Sequence, residues 1–416
     1  MRTADVQVRR ASRDECPVTL HLMVKNGESV VGRLLDCVGL YVRSVVAVLN
    51  DCEDATGDVL LESCRKHGLA HEVEVVTRER YPWLYFLDSP EVYEEGASFC
   101  GEVFPGPFTG ELLLGNWSAA RNVGWQRQSH RWKLHLDADD VVDDPEVIPG
   151  LCLALDEQGV EAAASRYLYH RTGRGDVRTD AYRERLCRNL PWLVWRDRVH
   201  EVLTGHDVSK VARVEGSLVV RDLCDSRGRG LRPPLRNLKV LYRRAREVEW
   251  NLTPRETAYL AAESRVAMPE LSLAMAEKYL SFPEPWPEEA AWVCSVAGEV
   301  EEARGRLAEA SDWYDCSLWY HPGALAAYRL ARAELLQQHW AESLAAYELG
   351  ARNEAEAQLV DGGGEVGQDA AKILAVVCLE KLGRLPEART LCAEARARFP
   401  ENENLAALER SLGKSG

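Results

Sequence analysis

Near Thr253 the sequence changes character, and that change limits the chain to two differently built parts. Before it, short β-branched runs alternate with helical spacings; after it, Ala, Glu, Leu, Arg and Trp recur at helical spacing with almost no strand signal. With 416 residues the chain has room for two or three domains. A tail or a mini-protein is excluded.

In the first part, VTLHLMV (18–24) reads as a buried strand that ends at Lys25-Asn26-Gly27-Glu28. Helical spacing follows from Val30 to Cys37, and a second β-branched run, VRSVVAVLN (42–50), ends in Asn50-Asp51-Cys52-Glu53-Asp54. A helix from Thr56 to His67 and a strand from Glu72 to Thr77 continue the alternation, which predicts an open α/β sheet over the first 150 or so residues. Such sheets bind ligands beyond the carboxyl ends of their strands, so the polar loops there are the places to search. Further on, Pro105 to Gly110 is a Gly/Pro-rich loop, Asn116 to Gln128 reads as a helix, and WKLHLDADDVV (132–142) is a strand running into an acidic turn.

The second part repeats itself. GRLAEASDWY (305–314) and QHWAESLAAY (338–347) align with an offset of 33 residues, and LGRLPEARTLC (382–392) returns to the pattern after a Gly-rich insertion at Gly362 to Gly364. A period near 34 predicts tetratricopeptide-like pairs of helices. The small residues Ala310, Ser343 and Ala388 recur where paired helices approach closely, and Pro322 and Pro400 follow as terminators.

Charge and cysteine usage narrow the function classes. Lys plus Arg is 51 against 66 for Asp plus Glu, a net charge of −15, which disfavours a general nucleic-acid binder. No apolar run approaches the roughly 18 residues of a spanning helix, and the arginine-bearing start lacks the apolar core of a secretory signal. The expected location is the cytoplasm, where twelve scattered cysteines without a C-x-x-C pair read as reduced, mostly buried thiols. Arg227 to Arg246 is a basic stretch, read either as a solvated linker and helix face or as a flap over an anionic ligand.

Asp137-Ala138-Asp139-Asp140 follows a strand, so its carboxylates project from a turn at the ligand edge of the sheet. Two carboxylates one residue apart can bind a hard divalent ion and leave positions for phosphate oxygens. Alone, an acidic turn is common. In order along the chain, however, VTLHLMVKNGE, SAARNVGWQRQSHRWKLHLDADD, RLCRNLPWLVWRDRVHEVL (185–203) and LRNLKVLYRRARE together resemble the family 2 glycosyltransferases of the GT-A fold, in particular the bacterial branch with C-terminal tetratricopeptide repeats.

The resemblance implies a GT-A domain over residues 1–225, a basic linker and helix over 226–252 and a helical repeat domain over 253–416. It implies a metal-dependent inverting hexosyltransferase using a nucleotide-sugar, with UDP favoured as the family's commonest carrier. Mn²⁺ or Mg²⁺ would be held by Asp139 and His200, and Asp137 would face the donor. Lys25, Asn26, Glu28, Asp54, Arg121, Arg185 and Arg188 would line the donor side, Trp192 and Trp195 the acceptor side, and Glu201 would be the general base. The repeats suit a peptide or protein acceptor, modified through Ser, Thr or Cys, and are compatible with a homodimer. Transfer to a modified DNA base or a cell-surface glycan is the alternative enzymatic reading, and a non-catalytic repeat scaffold the alternative class. One departure stands out: where members place a base-holding Asp at the end of the second strand, this chain has Leu49, with Asn50 and Asp51 the next candidates.

Overall fold

A computed structural model describes residues 2–4, 9–87, 98–99, 102–103, 112–127, 129–170, 177–222, 233–353 and 368–414. Pro105 to Gly110, the arginines at 227, 229 and 232, and Gly362 to Gly364 lie outside the described residues. The chain divides into two compact units, one of residues 1–97 and 105–246, the other of 98–104 and 247–416. No helix among the described residues is long and apolar enough to cross a membrane.

The first unit is built on a nine-stranded mixed sheet. Its strands are β1 (Arg2–Ala4), β2 (Val18–Val24), β3 (Ser44–Asn50), β4 (Ala70–Val76), β9 (Trp132–His135), β10 (Asp140–Val142), β11 (Ala162–His170), β12 (Val177–Arg188) and β15 (Val211–Asp222). Short ribbons complete the unit, β5 (Tyr85–Leu87) with β8 (Leu112–Leu114) and β13 (Val194–Arg196) with β14 (Val202–Thr204), while the ribbon of β6 (Ser98–Phe99) with β7 (Glu102–Val103) belongs to the second unit. The order is β1, β15, β11, β12, β9, β2, β3, β4, with β10 pairing β15. Strands β4, β3, β2 and β9 run parallel, so their carboxyl ends share one edge, while β12 runs antiparallel between β9 and β11.

Alternation along β2, β3 and β9 sends Val18, Leu20, Leu22, Val45, Ala47, Leu49 and Leu134 to one face, where they pack on α1 (Val31–Val38), α2 (Thr56–His67) and α4 (Ile148–Glu157). Met23, Val48 and Val76 face the other way, against Ala120 of α3 (Trp117–Trp125). The helix α5 (Pro233–Glu247) closes this unit's described sequence. Its basic residues are not a solvated linker: Lys239 is buried, Arg236 lies over the Trp117 ring at 4.3 Å and Arg243 over Phe86 at 4.6 Å.

In the second unit the helices pair as α6 (Pro254–Ser264) with α7 (Pro269–Leu280), α8 (Pro287–Ala303) with α9 (Leu307–Tyr320), α10 (Ala324–Leu336) with α11 (Trp340–Arg352), and α12 (Gln368–Lys381) with α13 (Leu385–Arg398), followed by α14 (Glu403–Lys414). The expectation of an open α/β sheet followed by helical repeats is met. Each repeated segment opens the second helix of a pair, and Gly305, Gln338 and Gly383 stand at one repeat position with φ of 75°, 66° and 73°. That left-handed residue lets the chain reverse, at a steric cost to Gln338 that glycine escapes. Ala310, Ser343 and Ala388 are all buried, as their spacing predicts.

Candidate active site

The site begins with the turn after β9. Asp140 is fully buried, and its carboxyl accepts the Asp137 backbone N–H at 2.8 Å and the Tyr167 hydroxyl at 2.6 Å. These bonds, with Asp140 N donating to Asp137 O at 3.0 Å, fold the acidic segment back on itself and turn the Asp137 carboxylate outward. Arg33 of α1 adds a bond from Nη2 to the Asp139 carbonyl at 3.1 Å.

Helix α3 supplies the opposing charge. Asn116 caps it by accepting from Ala119 N at 2.9 Å. The Ala-Arg-Asn segment then divides three tasks: Ala120 packs against the sheet, Arg121 points to the acidic turn, and Asn122 exchanges two bonds with the Trp195 backbone at 2.8 and 3.0 Å. The last pair fastens β13 beside α3. The turn from β13 to β14 contains two left-handed non-glycine residues, Asp197 (φ 69°) and His200 (φ 53°), and delivers Glu201 to Arg121.

One guanidinium therefore joins three elements. Arg121 donates through Nε to Glu201, through Nη2 to Asp137 Oδ1 at 3.0 Å, and through Nη1 to His135 Nε2 at 3.1 Å. Arg185 of β12 reaches the second Asp137 oxygen at 3.4 Å while its guanidinium lies 4.2 Å over the Tyr167 ring. Burial opposes the charge on Arg121, but Glu201 and Asp137 outweigh it and raise its pKa. Burial alone would raise Asp137, yet the Arg121 and Arg185 charges prevail and hold it below the ordinary carboxylate range. Burial, reinforced by Arg121, keeps His135 well below 6.5, so its ring is neutral, with Nε2 accepting and the proton on Nδ1.

Asp140 behaves oppositely. Burial pushes its pKa from 3.8 up to about 8, with the Asp137 charge adding to the rise. The fold keeps a proton that the unfolded chain would release, so this contribution to stability is complete below about pH 4 and is lost as the pH climbs through about 8. Asp140→Asn removes the titration, and its amide can still pair with the Tyr167 hydroxyl. Urea midpoints at pH 5 and pH 8 should show the wild type losing stability, by at most about 1.4 kcal/mol per pH unit, with a flatter profile in the variant. An equal slope in both proteins would place the buried proton elsewhere.

The expected donor-side residues separate. Arg121, Arg185 and Asp137 meet, with Glu201, as described. Asn26, Glu28 and Asp54 instead knit the loop after β2 to the loop after β3. Glu53 N donates to Asn26 Oδ1 at 2.8 Å, Ala55 N to Glu28 Oε2 at 3.0 Å, and Glu28 N to Asp54 Oδ2 at 3.2 Å. They frame the ligand edge, with Lys25 exposed beside them. Asn50 is buried and bonded to the Tyr85 hydroxyl at 2.7 Å, and Asp51 follows with φ of 47°.

Three expectations need correction. Arg188 pairs in register with Trp132, at the start of β9, and lies 3.8 Å from Asp156; antiparallel β12 carries it about 10 Å from Arg185 toward the opposite edge. Trp192 is exposed but stands at the Gly205 end of the β13–β14 ribbon, opposite the turn that carries Glu201. Trp195 is buried, with His135 at 4.6 Å and Trp125 at 5.6 Å, and lies 5.5 Å beneath Arg121 as a brace. Two participants, His135 and Asp140, escaped the sequence reading. Their signals were Lys133 and His135 alternating on one face of a buried strand, and a carboxylate three residues after Asp137.

A divalent cation was also expected. Among the described residues no three His, Cys, Asp or Glu side chains converge on one point. Both Asp137 oxygens accept from guanidinium groups, and His200 Nε2 lies 3.4 Å from Asn237 Nδ2. Asp137 and His200 thus already have protein partners, and neither serves as a cation ligand without releasing one.

No protein-family model matches the chain, and no curated protein does. Among solved structures it is similar to mannosyl-3-phosphoglycerate synthase from Rubrobacter xylanophilus, with 16% identity over 58% of this chain and 78% of that one, at a TM-score of 0.32. Glucosyl-3-phosphoglycerate synthase from Mycobacterium tuberculosis, in complex with Mn²⁺, uridine diphosphate and phosphoglyceric acid, matches at 15% identity over 67% and 83%, with a TM-score of 0.29. A thermophilic tetratricopeptide repeat protein from Thermus thermophilus matches at 16% identity over 42% and 90%, with a TM-score of 0.28. At such scores the likeness carries no inference about activity.

Proposed function

We propose that the chain is an inverting glycosyltransferase that moves a hexose from a nucleotide-sugar, with UDP the favoured carrier, to a Ser, Thr or Cys side chain of a peptide or protein. The observation that carries this reading is the meeting of Asp137 and Glu201 on one largely buried guanidinium at the carboxyl edge of the sheet's parallel strands. An acidic turn remote from Glu201 would have argued against it.

In the proposed reaction the acceptor oxygen or sulfur attacks the anomeric carbon from the face opposite the diphosphate. The bond from that carbon to the phosphate oxygen breaks, its electron pair leaves on the nucleoside diphosphate, and the acceptor proton passes to Glu201. Arg121 and Arg185 present guanidinium forks suited to phosphate oxygens, where they would meet the charge that grows on the leaving group. Neutral His135 and the Trp195 ring hold Arg121 in place. No step is assigned to a cation. The helical pairs of the second unit supply the kind of extended surface that favours a peptide over a small acceptor.

The test is mass spectrometry of a peptide library incubated with the full chain and mixed sugar nucleotides, in Mn²⁺, in Mg²⁺ and in chelator. A hexose adduct on Ser, Thr or Cys in at least one arm is expected. Absence of any adduct, together with no thermal stabilisation by a panel of nucleoside diphosphates, would leave the repeat scaffold as the better reading.

A further inference from the structure

The second unit carries a reactive pair that the proposed transfer does not use. Cys294 on α8 and Cys316 on α9 face each other with their sulfurs 3.4 Å apart. Cys294 is buried and Cys316 half-buried, so Cys316 is the more accessible residue of the two. The seam between the helices is closely fitted. A Cβ at Gly298 would come within 2.4 Å of the Tyr314 ring, and Ser317, next to Cys316, donates to the Ala291 carbonyl at 2.7 Å. Other half-buried thiols meet backbone atoms instead: Cys37 donates to the Val142 carbonyl and Cys52 to the Val24 carbonyl. Cys16 also pairs with a thiol, that of Cys152, but both are buried.

We infer that Cys294 and Cys316 form a modification site: a dithiol that a small disulfide such as oxidised glutathione converts into a cross-link between α8 and α9. Burial, with Cys316 adding to it, raises the pKa of the Cys294 thiol and keeps it protonated, so the Cys316 sulfur reacts first. The Cys316 thiolate attacks one sulfur of the small disulfide, and one thiol leaves after taking up a proton. Cys294 then loses its proton, attacks the Cys316 sulfur of the mixed disulfide and expels the second thiol. Two protein thiols lose two electrons and two protons, and the small disulfide gains them as two thiols. Closing the segment between the two positions removes freedom from the unfolded chain and fixes the helix pair.

The experiment is peptide mapping of the full chain after incubation with oxidised glutathione, acid quench and alkylation of the remaining thiols. The expected product in the wild type is a cross-linked peptide joining positions 294 and 316, with a melting temperature at least about 4 °C higher than in dithiothreitol. Cys294→Ser and Cys294→Ala should each accumulate a stable glutathione adduct on Cys316, and Cys316→Ser should leave Cys294 unmodified. Recovery of both wild-type cysteines as alkylated thiols, or of a lasting adduct on Cys316 without the cross-link, would overturn the assignment. The wild-type map alone decides if a variant fails to fold.

Discussion

Arg121→Ala is expected to abolish the proposed glycosyl transfer and lower the unfolding free energy by about 3–5 kcal/mol, the scale on which removing one partner strands a buried charge. The Arg121 side chain is only 12% exposed, and two carboxylates, Asp137 and Glu201, depend on it. Arg185 would still reach Asp137, but Glu201 would keep no charge partner from α3. Arg121→Lys is the sharper test. An ammonium donates from one point, whereas the three acceptors around Arg121 are disposed about a planar fork, so lysine can serve one or two of them. A fall of roughly 10²–10³ in turnover is expected from losing this preorganised charge, with weaker binding of uridine diphosphate by calorimetry. Denaturation in urea supplies the stability arm. Wild-type stability and nucleotide affinity in the lysine variant would show that the fork has no such role.

Glu201→Gln is expected to separate chemistry from binding. The glutamine carbonyl still accepts from Arg121 Nε, so the fold and the affinity for nucleoside diphosphates should hold. The side chain can no longer take a proton at the acceptor, and turnover at saturating donor should fall by about 10²–10⁴. Single-turnover kinetics with bound nucleotide-sugar reads this directly. If turnover fell only in step with lost donor affinity, Glu201 would be a binding group and the base would lie elsewhere.

Much of the fold was legible because period alone distinguishes its parts. The helix read over Thr56 to His67 and the strand over Val18 to Val24 coincide with α2 and β2. The repeat offset found the second helices of three of the four described pairs, since α9, α11 and α13 each begin after the same left-handed position. Within the site, Arg121, Arg185 and Glu201 were named through the resemblance, and Asp137 also from its place after a strand; the fold brings the four side chains together. Arg188 and Trp192 were misplaced because sequence proximity to Arg185 does not reveal where an antiparallel strand ends. Trp195 was misread because composition does not distinguish an aromatic ring that stacks on a ligand from one that props up an arginine. His135 was hidden for a related reason: a polar residue in an apolar strand has a meaning only once the helix packed on its face is known.

The shared guanidinium has a temporal consequence. While Arg121 is bonded to Glu201, one oxygen of that carboxylate is taken up by the guanidinium. An arriving diphosphate competes for the same N–H groups, and each bond it takes loosens the hold on Glu201. In the proposed reaction the carboxylate is thus released by the donor itself, so the nucleotide-sugar binds first and the nucleophile second.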